Sequence, residues 1–254
     1  MALATLTFDS QLLHRPVSVS VLLPENAAPK AVLTFLHGYT NRYDSALYYS
    51  SLPRYCSDIP LAVILPDAQC SFYLDTAYGQ PYWRHLTQEI PARLKQWLRL
   101  EVPARNHYAA GISMGGYGAA KLAMQRPSDF AEVFLFSPVT DMAAVSQHGF
   151  DRSLDSNAPA YEDLCMGALL GGRAIQGTQD DLYHLLKAED VQAFPYFHIY
   201  AGTEDFLYEE INRFVRNLKQ AGVRADLNTS PGGHCWDTWD PFLEKMAARI
   251  AALL

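Results

Sequence analysis

Apolar and polar residues alternate at the start of the chain, and then the alternation stops. "LATLTFDS" and "RPVSVSVLLPE" place apolar side chains at every second position, as half-buried antiparallel strands do. "AVLTFLHG", "LAVILPD", "HYAAG", "EVFLFSP" and "YFHIYAG" are short unbroken apolar runs, each closed by glycine or a polar residue. Runs of that kind are expected in a sheet covered on both faces. Between them lie segments with helical spacing. "TQEIPARLKQWLRLE" repeats apolar residues at Ile90, Leu94, Trp97 and Leu98. "YEEINRFVRNLKQAG" does so at Ile211, Phe214, Val215 and Leu218 and stops at Gly222, as a capped helix would. "DPFLEKMAARIAALL" closes the chain. The pattern predicts an α/β fold: a mostly parallel sheet with antiparallel N-terminal strands and helices on both faces. One domain is expected over 1–254. Residues 139–192, rich in Gly, Asp, Ser and Gln, read as a cap-like insertion over the carboxyl edge of the sheet, where such folds bind ligands.

Composition narrows the partners. The 254 residues carry a net charge of −7, which argues against nucleic acid or an anionic membrane surface. No apolar stretch approaches the roughly 18 residues of a membrane span. The opening "MALATLTFDSQLLHRP" lacks a basic leader and has an early Asp9, so it does not read as a signal peptide. Cys56, Cys70, Cys165 and Cys235 include no Cys-x-x-Cys pair, and reduced thiols in a cytoplasmic protein are the simpler expectation. The histidines show no His-Glu-x-x-His spacing, so neither a metal nor another cofactor is expected.

The candidate chemistry lies in "YAAGISMGGYGAAKLA". Gly111-Ile112-Ser113-Met114-Gly115 is a Gly-x-Ser-x-Gly motif with a strand-like run before it and a helix-like run after it. That context is what a sharp turn presenting a nucleophilic serine requires. A serine hydroxyl needs a base, and the base needs an orienting acid. His234, in the glycine-rich loop "TSPGGHCWDTW", is the only histidine after Asp205 and stands where the base belongs in chain order. For the acid, "FHIYAGTEDFLYEE" offers Glu204 and Asp205 after a strand; Asp205 is the choice, although spacing leaves Glu204 open. Asp226 and Asp237 are weaker rivals. Two backbone amides are expected to form the oxyanion hole: that of Met114, next to the nucleophile, and that of Tyr39, after the strand ending in His37-Gly38. His37 itself is expected to hold its loop by a hydrogen bond.

Together "FLHGYTNRYDS", "SFYLDTAYG", "AAGISMGGYGAAKLA", "AGTEDFLYE" and "GGHCWDTW" resemble the esterase D-like α/β-hydrolases, and among them the bacterial tributyrin esterases. The resemblance runs in family order from about residue 17 to 239. It implies Ser113 as nucleophile, Asp205 rather than Glu204 as acid, His234 as base, and the amides of Tyr39 and Met114 as oxyanion donors. It implies hydrolysis of short-chain carboxylic esters. Relatives that act on acetylated sugars, feruloyl esters or S-formylglutathione supply the alternatives, and a non-catalytic binding member of the fold is a further one. The chain departs from the resemblance at "NRYDSALYYS", where Ala46 stands near the place of a common tryptophan. The aromatic stretch "CSFYLDTAYGQPYWRH" suggests Phe72, Tyr73, Tyr78 and Trp83, with Trp236 beyond His234, as walls of a pocket for a small-molecule ester. A homo-oligomer is compatible with all of this.

Overall fold

A computed structural model of the chain describes residues 1–150, 160, 164–187 and 190–254. Strands β1 (Ala2–Ser10), β2 (Arg15–Leu23), β3 (Ala31–Leu36), β4 (Leu61–Pro66), β5 (His107–Ile112), β6 (Glu132–Phe136), β7 (Tyr196–Gly202) and β8 (Ala225–Ser230) form one sheet. Their order is β1-β2-β4-β3-β5-β6-β7-β8. β1 and β2 form an antiparallel hairpin, and β2 runs antiparallel to β4. From β4 onward every neighbour is parallel. The two alternating segments thus became the antiparallel edge, and the unbroken apolar runs became the doubly covered centre.

Helical segments are α1 (Ser45–Tyr49), α2 (Leu52–Tyr55), α3 (Tyr82–Arg84), α4 (Ile90–Leu98), α5 (Met114–Gln125), α6 (Met142–His148), α7 (Met166–Leu170), α8 (Leu182–Leu185), α9 (Tyr208–Gln220) and α10 (Trp236–Leu253). Side chains of β2 to β7 divide between two cores. Val32, Ala62, Ile64 and Ala109 pack with α4, α5 and α9. Leu33, Phe35, Val63, Ala110 and Phe136 pack with α1, α2 and α10 on the other face. The period of two survives inside runs whose every residue is apolar, because successive side chains of a strand point to opposite faces.

The helix predicted around Ile90 begins earlier than its apolar spacing suggests. Helical backbone runs from Tyr82 to Leu98, with a widened turn over His85–Glu89. Pro91 has no N–H to return to the Thr87 carbonyl, so the turn opens there. The Thr87 carbonyl takes a hydrogen bond from Arg126 instead, at 2.8 Å.

Within 139–192, the described residues contribute α6, α7 and α8; residues 151–159, 161–163 and 188–189 of that stretch lie outside the description. The region is tied down at several points. Tyr117 donates to the Asp180 carbonyl at 2.6 Å, and the Ala77 amide donates to the Leu169 carbonyl at 2.8 Å. Among the described residues no helix is long and apolar enough to cross a membrane. All four cysteines are unpaired.

The amino edge of the sheet carries a charged cluster. Glu132 accepts from His198 Nε2 at 2.9 Å and from Arg249 Nε at 3.0 Å, and His198 Nδ1 faces Asp226 at 3.3 Å. Burial alone would raise the Glu132 carboxyl, but the bonds from His198 and Arg249 prevail and draw it down to about 2. A lowered carboxyl contributes stability that is present above its unfolded value of 4.5 and is lost as pH falls through about 2. His198 has the opposite sign. Burial lowers it, yet Asp226 and Glu132 raise it on balance, so its contribution is present below 6.5 and lost as pH climbs through the raised value. Glu132→Gln is therefore expected to cost about 2–4 kcal/mol at neutral pH. Urea titrations at stepped pH should show the gap between variant and wild type closing below about pH 4.5.

Candidate active site

Every residue expected to carry chemistry stands just beyond the carboxyl end of a strand. β3 ends at Leu36 and leads into His37-Gly38; its neighbour β5 ends at Ile112 and leads into Ser113. Leu36 and Gly111 are register partners, so sheet pairing alone brings these two turns side by side. The chain steps from β3 outward to β4 and then back across to β5, and this reversal opens a crevice at the carboxyl edge.

The turn at Ser113 is held by backbone. Ser113 has φ 56° and ψ −115°, a conformation that costs any residue with a side chain. Its amide donates to the Phe136 carbonyl at 2.8 Å, and its carbonyl accepts from Val139 N and Tyr117 N, both at 3.1 Å. Gly115 makes the approach of α5 feasible, since a side chain there would overlap the Leu36 carbonyl. Ser113 thus caps α5 with its hydroxyl on the outside, and the positive end of the helix lies beneath it.

β7 and β8 bring the other two groups. The Thr203 amide donates to Ser230 O at 2.9 Å and the Glu204 amide to Gly232 O at 3.0 Å, which zips the two loops together. Gly232 has φ 125°, open to glycine alone without strain. Asp205 turns inward and is 4% exposed, while Glu204 faces solvent. Asp205 Oδ2 and Oδ1 lie 2.9 and 3.0 Å from His234 Nδ1, and Oδ1 also accepts from the Leu207 amide at 2.9 Å. His234 Nε2 lies 2.9 Å from Ser113 Oγ. The ring is gripped by Phe206 at 4.6 Å and by the edge of Trp239 at 4.9 Å between centroids. Trp239 is fixed in turn by its indole N–H, which donates to Ser137 Oγ at 2.8 Å.

His37 shapes the neighbouring loop. It is buried, its Nε2 accepts from the Ala68 amide at 2.9 Å, and its Nδ1–H donates to the Gly38 carbonyl at 2.8 Å. A trans peptide points its N–H opposite to its C=O. With the Gly38 carbonyl tied to His37, the N–H of that peptide, which belongs to Tyr39, faces away from the imidazole. Burial lowers the His37 pKa and keeps the ring in the neutral form that this pair of bonds requires. Met114 opens α5, where the first amides have no helical acceptor four residues back.

These groups meet in a cleft of about 330 Å³, lined by Gly38, Tyr39, Ser113 and His234 and walled by Phe72 and Trp236. Three aromatic residues expected in the wall are elsewhere. Tyr73 is fully buried and donates its hydroxyl to the His37 carbonyl at 3.0 Å. Trp83 lies over the Lys121 ammonium, with Nζ 4.0 Å from the ring centroid. Tyr78 is 54% exposed and does not line the cleft. The reason for the first two is Lys121, an amine with no exposure of its own, which donates to Tyr73 O at 2.8 Å and to Asp180 at 2.9 Å. A buried cation needs such a shell, and the aromatic stretch supplies much of it. Phe150 and Phe206 line the cleft without having been singled out from the sequence. Phe206 adjoins Asp205 and was legible to that extent; nothing marks Phe150.

Comparison with known proteins gives a consistent set. Residues 10–250 match the family described as Putative esterase. An acetyl esterase of Caldicellulosiruptor saccharolyticus is 23% identical over 96% of both chains. The fluorophosphonate-binding serine hydrolase FphF of Staphylococcus aureus, solved with substrate bound, is 26% identical and superposes with a TM-score of 0.88 over 98% of both chains. The S-formylglutathione hydrolase FrmB of the same organism is also 26% identical, with a TM-score of 0.81 and the same coverage.

The strained turn has a measurable consequence. Ser113→Ala and Ser113→Gly both lose the bond to His234, but only the glycine is at ease at φ 56°. The glycine variant should therefore be more stable than the alanine variant by about 1 kcal/mol, read as a higher urea midpoint.

Proposed function

The chain belongs to this family of esterases, a serine hydrolase of carboxylic esters on an α/β-hydrolase fold, and we propose that it cleaves short-chain acyl esters with Ser113 as nucleophile. In this reading His234 Nε2 takes the Ser113 proton and the alkoxide attacks the ester carbonyl. The amides of Tyr39 and Met114 receive the developing negative charge. His234 then returns the proton to the departing alcohol, and water repeats the cycle on the acyl-enzyme. Asp205, buried and bonded to Nδ1, holds the imidazole in the tautomer whose Nε2 is free to accept, and stabilises the imidazolium that forms.

The observation that carries this reading is the unbroken line of contacts from Ser113 Oγ through His234 to Asp205, at 2.9 Å on each side of the ring. The aromatic and aliphatic walls of the cleft, with no Asp, Glu, Lys or Arg among the described lining residues, favour an uncharged substrate. No cofactor enters the cycle. Among the described residues of 139–192, Val139 and Phe150 line the cleft, and we assign them the role of a partial cover within a single domain.

A second reading, hydrolysis of the thioester S-formylglutathione, is favoured by the likeness to FrmB. The same groups serve both reactions. Against it, the described residues lining the cleft include no Lys or Arg to meet the two carboxylates of glutathione.

Hydrolysis of 4-nitrophenyl esters from acetate to octanoate tests the proposal. Activity should peak at acetate or butyrate and exceed that on S-formylglutathione. Ser113→Ala should lower kcat by at least about 10³-fold and abolish labelling by a fluorophosphonate probe. Asp205→Asn should lower kcat by about 10²–10⁴-fold, whereas Glu204→Gln should change it less than about twofold. Near-native turnover by the Ser113→Ala protein would sink the mechanism.

A further inference from the structure

Beside the cleft mouth, two aromatic rings from distant parts of the chain form an open shelf. Tyr49 ends α1 and Trp236 begins α10, and their ring centroids are 5.9 Å apart at 30°. Tyr49 is 63% exposed, and the adjacent Tyr48 is 77% exposed. Trp236 lines the cleft, so the exposed Tyr49 ring packed against it extends the aromatic wall outward.

The shelf is built rather than incidental. Asp240, one turn along α10 from Trp236, accepts from the Ser51 amide at 2.5 Å and from Tyr55 Oη at 2.7 Å. These two bonds clamp the α1–α2 segment, and with it Tyr49, to the helix that carries Trp236. Ser50 Oγ closes the end of α1 on the Ala46 carbonyl at 2.6 Å. On its other side Trp236 meets the edge of Trp239 at 5.5 Å, and Trp239 grips His234. Trp236 thus stands on the His234 side of Ser113. That is the side on which a leaving alcohol must lie, because His234 hands it a proton.

We propose that Tyr49 and Trp236 form a leaving-group subsite that takes a flat, uncharged ring in the alcohol portion of the ester. Its selectivity rests on the face of the ring, since offset stacking needs a planar π-surface and a saturated ring of equal size offers none. This inference rests on the esterase reading above and specifies its substrate: a short acyl group joined to a ring-bearing alcohol.

The test varies the alcohol at constant acyl group. Ethyl, cyclohexylmethyl and benzyl acetate are compared with wild type, Tyr49→Ala, Tyr49→Phe and Trp236→Ala, each checked for folding by its thermal midpoint. The kcat/KM of wild type should rank benzyl above cyclohexylmethyl acetate. The benzyl-to-ethyl ratio should fall about fivefold to tenfold in both alanine variants and stay near wild type in Tyr49→Phe. An unchanged ratio in both alanine variants, or an equal loss on all three esters, overturns the subsite. Should wild type hydrolyse none of the esters, the esterase reading fails, and the subsite is judged separately by titrating benzyl alcohol onto the protein with saturation-transfer NMR. Binding weakened about fivefold by Tyr49→Ala supports it, and unchanged affinity overturns it.

Discussion

The site depends on one turn in which a serine keeps a backbone conformation that would ordinarily exclude it. The strain at Ser113 is contained by three backbone hydrogen bonds, to Phe136, Val139 and Tyr117. They come from β6, the loop after it, and α5, so the turn cannot relax without disturbing all three. The close approach of α5 to β3 at Gly115 then fixes how far the hydroxyl stands above the sheet edge. A hydroxyl held this way is in place before any ligand arrives.

The remaining groups are positioned by backbone pairing more than by side-chain packing. The β7 and β8 loops are joined through Thr203–Ser230 and Glu204–Gly232, which leaves Asp205 and His234 with one relative arrangement. His37 does the same for the loop after β3 by tying the Gly38 carbonyl. Side chains then lock what the backbone has placed. Trp239 reaches from α10 to Ser137 while pressing its edge on His234, and the Tyr73 hydroxyl secures the His37 carbonyl.

Lys121 shows the same economy on the opposite side of α5. Its amine has no contact with water, lies over two aromatic rings, and reaches both Tyr73 and Asp180. It joins α5, which follows Ser113, to the loop after β4 and to the region before α8. Removing the cation would leave the Tyr73 carbonyl and the Asp180 carboxylate to find other partners, so the cluster couples three segments that are far apart in sequence.

The positions of β1 to β7, the antiparallel opening and the strand–serine–helix context were legible in the chain, because alternation and unbroken apolar runs report burial directly; the half-buried, mostly polar β8 carries neither signal. Ser113 and His234 could be singled out for a similar reason: the turn chemistry of glycine and the order of groups along the chain are local facts. Glu204 and Asp205 could not be separated by spacing, since which of two neighbours faces inward depends on how the turn after β7 packs. The aromatic stretch after β4 misled for the same reason. Tyr73 and Trp83 read as pocket walls, yet a buried lysine on another element claims them, and no local pattern announces that Lys121 is inside. By itself the sequence determined which segments pair and which residue types stand at the strand ends, because periodicity and turn residues act over a few positions. Only the tertiary structure decided which aromatic rings face the cleft and which carboxylate faces the histidine, because those outcomes depend on contacts between elements that the chain order does not specify.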